Sequence, residues 1–324
     1  MFPYAKAIVT GGAGFIGSHL VEKLVLHGVD TISIDNYSAG KKENLAHLTK
    51  YPNFKEIKCD VLDYDQLDEI MPGTEVIFHQ AASKKTVCMA DPRKDLDVNG
   101  KGTLTLLELA VKHKVKKFVH ASTGSVYGEP RYFPQDEEHP LNPTSYYGVS
   151  KLAGEKYVRA FCDLYDLDAT ILRYFHVYGP RQESSDVGGV VSIFIRRILE
   201  GKPITIFGSG EQERSFTYVG DVVNANIAAA RVENISGEAF NCASGIKVTI
   251  KELYDMVCKA MDVPGYPVKY GPWAPGDIIK FDVSNQKLGD ILGVHPRKEF
   301  YVGLERTVEW GRQYLAEVLG CKSA

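Results

Sequence analysis

Residues 7 to 35 constrain this chain most. Ala7-Ile8-Val9 is a short apolar, β-favouring run. Thr10-Gly11-Gly12-Ala13-Gly14-Phe15-Ile16-Gly17 follows, and Ser18 to Val25 carries its apolar residues at helical spacing. The glycines therefore fall on a strand-to-helix turn. A glycine pattern alone says little, but Thr31-Ile32-Ser33-Ile34-Asp35 adds a second strand ending in an acid, which completes a dinucleotide site. Gly11 permits the tight turn, Gly14 lets the backbone approach a pyrophosphate, and Gly17 lets the helix lie close on the sheet. The helix N-terminus offers free N–H groups and the positive end of its dipole to the phosphates. Asp35 is placed to accept from the adenosine ribose hydroxyls and to repel a 2′-phosphate, so NAD rather than NADP is the expected cofactor.

Beyond Asp35 the same alternation continues. Asn36 to Leu45 is a polar loop that passes over the adenosine end, and Phe54 to Val61 reads as a third strand ending in Asp60, an acceptor for an adenine amino group. Glu75 to Ala82 is a fourth strand whose end carries residues small enough to approach a dinucleotide, with Lys84 at the mouth; His79 within it reads as a core or sheet-end histidine. Asp91 to Lys114 forms one long helical pattern interrupted by Gly100 and Gly102. Lys117 to Ala121 is a fifth strand that leads into Ser122-Thr123-Gly124-Ser125, and Asp168 to Tyr174 is a sixth. Strands alternating with helices predict a parallel sheet covered on both faces. Ligands of such sheets bind outside the carboxyl ends of the strands, where Gly11 to Gly17, Asp35, Asp60, Ala81 and Ser122 to Ser125 all fall.

Past about Pro180 the alternation weakens. The predicted architecture is α/β: a Rossmann-type doubly wound parallel sheet over 1–178 and a smaller, mainly substrate-binding C-terminal α/β domain over 179–324. Within the latter, Val190 to Glu200, Asp221 to Val232 and Thr249 to Met261 read as helices, and Ile204 to Phe207 and Ser215 to Val219 as short strands. Val263 to Lys280, rich in Pro and Gly, reads as a loop that closes over a substrate.

Composition excludes several other roles. A net charge of −3 on 324 residues argues against nucleic acid or an anionic membrane as the main partner, so an anionic ligand has to be met by local cations. Six cysteines without a Cys-x-x-Cys pair or a His cluster indicate neither a zinc site nor a disulfide framework, so no metal is expected and the thiols read as those of a cytoplasmic protein. There is no charged-then-apolar leader, and no apolar run approaches the ~18 residues that span a bilayer.

Tyr147 and Lys151 lie four apart on a predicted helix and project from one face. An ammonium near a phenol, together with the positive nicotinamide ring, favours the phenolate and moves a pKa of ~10 toward the operating range. Tyr147 is the expected base. Thr123, at the tip of the fifth strand, is placed to donate to the reacting oxygen.

With these motifs in hand, the chain resembles the extended short-chain dehydrogenase/reductases, and within them the NAD-dependent nucleotide-sugar epimerases and dehydratases. The resemblance rests on the glycine turn from Thr10, Asp35-Asn36-x-Ser38-x-Gly40, Asp60-Val61, His79-x-Ala81-Ala82, Asn99, Ser122-Thr123, Tyr147-x-x-x-Lys151 and Leu172-Arg173-Tyr174-Phe175. It implies that the residues of these motifs meet the cofactor, Phe15, Ile16 and Ser122 among them. It is strongest to UDP-glucose/UDP-galactose 4-epimerases, in which the tyrosine removes the 4-hydroxyl proton while hydride passes to NAD. The resemblance further implies that Lys151 orients the nicotinamide ribose and that Thr123, with Ser125 beside it, meets the sugar. Lys84 would contact cofactor or substrate phosphate, Phe175 would lie by the nicotinamide, and Arg214 would bind the substrate diphosphate.

Three departures stand out. His176 replaces a substrate-binding Asn usual after Leu-Arg-Tyr-Phe. No arginine precedes Gly276-Asp277 at the usual distance. Ser215 and Gly220 stand where acids are usual. The expected activity is a nucleotide-sugar 4-epimerase; a dehydratase, decarboxylase or 4-dehydrogenase of the same family, and a non-catalytic NAD-binding sensor or scaffold, are the alternatives. The resemblance also implies a homodimer paired through the helices at 91–114 and 145–165, burying Leu104, Leu107 and Phe161 where those face outward.

Overall fold

Period-two alternation along the strands sorts the buried side chains into two layers. The structure, a computed structural model, describes residues 2–83, 85–186, 188–273, 282–296 and 300–315. In chain order the strands are β1 (Lys6–Thr10), β2 (Asp30–Asp35), β3 (Phe54–Lys58), β4 (Val76–His79), β5 (Lys117–Thr123), β6 (Ala169–Tyr174), β7 (Val177–Tyr178), β8 (Ile204–Phe207), β9 (Glu213–Arg214), β10 (Thr217–Tyr218), β11 (Ala239–Cys242), β12 (Val248–Thr249) and β13 (Val268–Gly271). The helices are α1 (Phe15–Leu26), α2 (Tyr64–Ile70), α3 (Lys85–Ala90), α4 (Pro92–Leu96), α5 (Gly102–Lys112), α6 (Tyr146–Tyr165), α7 (Val190–Leu199), α8 (Val219–Arg231), α9 (Ile250–Ala260), α10 (Gln286–Leu292) and α11 (Phe300–Trp310).

Seven strands make one parallel sheet in the order β11-β6-β5-β4-β1-β2-β3. Val9, Phe78, Val119 and Leu172 face α1 and α8 on one side. Their neighbours Ile8, Ile77, Phe118 and Ile171 face α2, α5 and α6 on the other. Strand order turns around at β1, flanked by β2 and β4, and a crevice opens at such a switch point beyond the carboxyl ends. A further core, centred on Phe194, Leu253 and Leu304, joins α7, α9 and α11 to β8.

Four features differ from the sequence expectation. The single helix predicted over 91–114 is interrupted: α4, capped by Asp91 accepting from the Lys94 N–H, runs into a π turn at Asp97–Lys101 before α5 resumes. Asn99 lies in that turn with its side chain buried against Asp95 and Ser150, so a side-chain cluster takes the place of regular helix. Secondly, the loop predicted over 263–280 contains β13, which pairs in parallel with β8; its exposed Lys269 and Tyr270 give it no buried stripe to read. Residues 274–280 lie outside the described residues.

Thirdly, β11 extends the sheet beside β6, and α8 packs against α1, so the chain after residue 178 supplies parts of both the sheet and a covering layer. Fourthly, Leu107 and Phe161 sit in the core of the chain itself and are not available to a partner.

Candidate active site

The glycine turn after β1 is shaped by close approach. Gly11 has φ +65°, and a Cβ there would stand 2.8 Å from the Ala81 backbone. A Cβ on Gly17 would overlap the Gly11 carbonyl oxygen. Gly14 caps α1 without a side-chain bond, and no acid occupies the first turn, so the helix start presents bare N–H groups. Asp35, buried at the end of β2, accepts from Ala13 N–H at 3.0 Å and Tyr37 N–H at 2.8 Å. Burial pushes its carboxyl up, and those two N–H groups pull against it.

A cleft of about 1000 Å³ runs along these strand ends. Its wall brings together most of the residues expected at a cofactor. Gly11, Gly14, Phe15, Ile16 and Gly17 line the turn. Asp35, Asn36, Ser38 and Gly40 follow β2, and Asp60 and Val61 follow β3. Ala81 and Ala82 follow β4, and Ser122, Tyr147 and Lys151 close the inner end. The two oxygens of Asp60 already accept from the Asn36 amide at 2.7 Å and the Leu62 N–H at 3.0 Å, so Asp60 shapes the adenosine loop as well as facing it.

Other expected residues lie off that wall. Asn99, fully buried, accepts from the Ser83 N–H at 3.0 Å and supports the segment after β4. Phe175 is buried against Tyr127 and the Gly124 backbone. Thr123 and Ser125 bond to each other at the tip of β5, the Ser125 N–H donating to Thr123 Oγ1 at 3.2 Å. His176 is exposed with φ +37°, a region that Asn and His enter more readily than most residues. Arg214 is buried on β9, and its Nη1 donates to the Glu213 carbonyl at 2.7 Å. Lys84 and Asp277 lie outside the described residues.

At the inner end, Ser145 caps α6 by accepting from the Gly148 N–H at 3.1 Å, which sets Tyr147 and Lys151 in the first turns. Tyr147 shares a hydrogen bond with the Thr123 side chain. In the protein alone, burial, then the charge of Asp95, pushes this phenol up to about 12. Lys151 is pulled down to about 8, chiefly by loss of water, with Glu155 and Asp95 opposing. Its Nζ has no hydrogen-bond partner among the described residues. His79 is fully buried and bonded on both ring nitrogens, to Thr10 at 2.8 Å and Thr103 at 3.0 Å.

Other parts of the wall went unread in the sequence, Met89, Lys94, Asp97 and Val98 among them. Gln80 and Tyr174 face the cleft, held by Asn226 of α8: Gln80 Nε2 donates to Asn226 Oδ1 at 2.9 Å, and Tyr174 donates to Gln80 Oε1 at 3.1 Å. Their position just past β4 and at the end of β6 was the available signal. Gln182, Glu183, Gly188 and Gly189 close the far side from an irregular segment that no periodicity marks.

A glycine cradle with no room for Cβ atoms, an acid after β2 and a buried, unbonded ammonium in one cleft fit a nicotinamide dinucleotide, and a tyrosine beside that ammonium fits proton transfer next to it. A chain so built is an NAD-dependent enzyme. The family model described as "NAD dependent epimerase/dehydratase family" matches residues 7–243, and the chain belongs to that family. A putative UDP-glucose 4-epimerase of Methanocaldococcus jannaschii is 39% identical over 306 residues, covering 94% of this chain and 97% of the relative. A UDP-N-acetyl-alpha-D-glucosaminuronate decarboxylase of Bacillus cytotoxicus is 34% identical over 320 residues, covering 95% and 98%. The crystal structure of a UDP-glucose 4-epimerase from Thermotoga maritima with UDP-glucose superposes with a TM-score of 0.89 at 38% identity, covering 96% of this chain and 99% of that one. Among the described residues no helix is long and apolar enough to cross a membrane.

Proposed function

We propose that the chain is a nucleotide-sugar 4-epimerase of the UDP-glucose/UDP-galactose type. NAD held by the glycine turn and Asp35 would supply a hydride acceptor and donor for carbon 4, and its positive charge would oppose the burial that raises the Tyr147 phenol. The phenolate of Tyr147 takes the proton of the 4-hydroxyl as carbon 4 is oxidised, and the same phenol returns it to the 4-oxygen after the 4-keto sugar has turned over. Thr123, bonded to Tyr147, holds that oxygen. Lys151 meets the nicotinamide ribose. Arg214, His176 and Ser125 are the expected contacts to the nucleotide sugar.

One observation carries the choice of epimerase over dehydratase. Removing water across carbons 5 and 6 needs a base and an acid, which dehydratases resembling this chain place directly after the threonine. Here that place is Gly124, and a side chain there would run into the Phe175 ring, which is buried and stacked on Tyr127. Ser125 follows, whose hydroxyl is a poor acid and a poor base near pH 7. The site therefore oxidises carbon 4 and returns the hydride. Incubation with UDP- and dTDP-glucose is expected to interconvert gluco and galacto forms; a 4-keto-6-deoxy sugar as the main product would falsify the assignment.

A homodimer belongs to the same reading, through a face other than the one first expected. Val149, Tyr157 and Leu164 are exposed at spacings of eight and seven along α6, and Leu96 is exposed on α4, which packs against α6. An apolar stripe on adjacent helices is what a partner covers. Light scattering at micromolar protein is expected to give twice 35.9 kDa. Leu164→Arg, which places a charge on that stripe, is expected to give the monomer mass; a dimer unaffected by it would place the interface elsewhere.

A further inference from the structure

Lys151 sits among charges and bonds to none of them. The residue is 1% exposed and lines the cleft. Two carboxylates act on it electrostatically, Glu155 one turn along α6 and Asp95 from α4. A Lys and a Glu four apart on a helix face ordinarily pair, and a buried ammonium without a bond is unfavourable. Both carboxylates are occupied elsewhere. Glu155, also 1% exposed, accepts from Arg173 through both oxygens, at 3.0 Å from Nε and 2.8 Å from Nη2, and from Ser122 Oγ at 2.5 Å. Asp95 accepts from Ser150 Oγ at 2.6 Å, from Asn99 Nδ2 at 3.0 Å and from Ser83 Oγ.

Arg173 is itself fixed by Tyr127 as well as by Glu155. Its Nη1 donates to Tyr127 Oη at 2.8 Å, its guanidinium lies 4.9 Å from the centre of that ring, and Tyr127 donates in turn to Asn241 Oδ1 on β11 at 2.6 Å. The other titratable groups facing Lys151 are Tyr147 one turn back, His79 from β4 and His120 from β5. Burial and the Lys151 charge hold both histidines neutral, His79 down to about 3. Among the described residues, Glu155 is thus the one charge near Lys151 whose partner is another fixed cation.

We propose that Arg173 and Ser122 are positioning residues that hold the Glu155 carboxylate off Lys151, leaving the Lys151 ammonium turned into the cleft with its donors available to a ligand. This builds on the reading of Lys151 as the residue that meets the nicotinamide ribose. The arrangement keeps negative charge near a buried ammonium without letting a salt bridge capture it. Strand β6 supplies the restraining cation, so the sheet, and not the helix alone, decides where the lysine points.

The test needs no turnover, so it stands apart from the epimerase assignment. Lys151 in the whole protein is labelled competitively with acetic anhydride at pH 7 and its reactivity read by peptide mass spectrometry. In Arg173→Met the freed carboxylate pairs with Lys151, and labelling is expected to slow about tenfold. In Glu155→Gln the unpaired Arg173 cation repels it, and labelling is expected to quicken about fivefold. The double variant is expected to return to within about twofold of the parent. A merely structural role loosens the helix in both single variants and raises reactivity in both, so shifts in the same direction, or none beyond twofold, overturn the proposal. If Arg173→Met does not fold, Ser122→Ala decides: labelling slowed about threefold supports it, and an unchanged or faster rate overturns it.

Discussion

Tyr147→Phe is expected to lower kcat by about 10²–10⁴-fold, the contribution of a positioned proton acceptor, while NAD affinity stays within a few fold of the parent. The substitution removes one oxygen. The ring still fills its place at the start of α6, and the residues that cradle the dinucleotide, from Gly11 to Gly17 and at Asp35, lie on other elements. Loss of the bond to Thr123 is worth about 0.5–1.5 kcal/mol of stability, too little to unfold a domain of this size. Steady-state turnover of UDP-galactose beside calorimetric titration with NAD checks both halves. Turnover within tenfold of the parent removes Tyr147 from the reaction; a parallel collapse of NAD binding shows that the phenol holds the cofactor instead.

The second large effect belongs to Gly17. An alanine there sets its Cβ against the Gly11 carbonyl and the Gly12 Cα, backbone atoms that cannot swing aside. Relief requires α1 to move off the sheet, and that shifts the N–H groups at its start away from the phosphates. Overpacking of this kind costs about 1–3 kcal/mol, so NAD binding is expected to weaken by up to about 10²-fold. Gly28→Ala is the control. Its φ of +79° brings backbone strain, but nothing stands within 4 Å of the added methyl and the residue lies past the far end of α1. It is expected to lower the melting temperature by about 1–2 °C, as about 1 kcal/mol does in a chain of this length, with NAD affinity unchanged. A Gly17→Ala protein that binds NAD within threefold of the parent would show that close packing at this turn is not what shapes the site.

Much of the cofactor half was legible because its signals are local. The glycine turn, the acids after β2 and β3 and the small residues after β4 are each set by neighbours within a few positions, and the parallel topology then gathers them at one edge. The inner end was half legible. The spacing of Tyr147 and Lys151 announces a shared helix face, but not that burial raises the phenol or that Asp95, fifty-two positions earlier in the chain, adds to the rise. Asn99 reads as a motif residue, yet its work in the fold is to support Ser83. β11 was missed because four residues with Asn241 among them form no apolar run. The asparagine side chain is satisfied there by Tyr127, Gln135 and Ser284 from elsewhere in the chain. Resemblance places Leu107 and Phe161 at a partner surface only where they face outward, and packing against the sheet reveals that both are turned inward.

The last strand of the sheet comes from far along the chain, and this bears on how the protein is made. During synthesis β6 emerges with its outer row of N–H and C=O groups open, and it stays an edge until Cys242 has left the ribosome and β11 can lay itself alongside. Until then α1 also lacks α8, one of the helices that press it onto the sheet. The binding turn is thus encoded in the first twenty residues, while the helix that packs α1 from the other side is encoded some two hundred residues later. A nascent chain halted near residue 178 presents an open, sticky β edge to whatever surrounds it, so the interval between β6 and β11 is when this protein has most need of a chaperone.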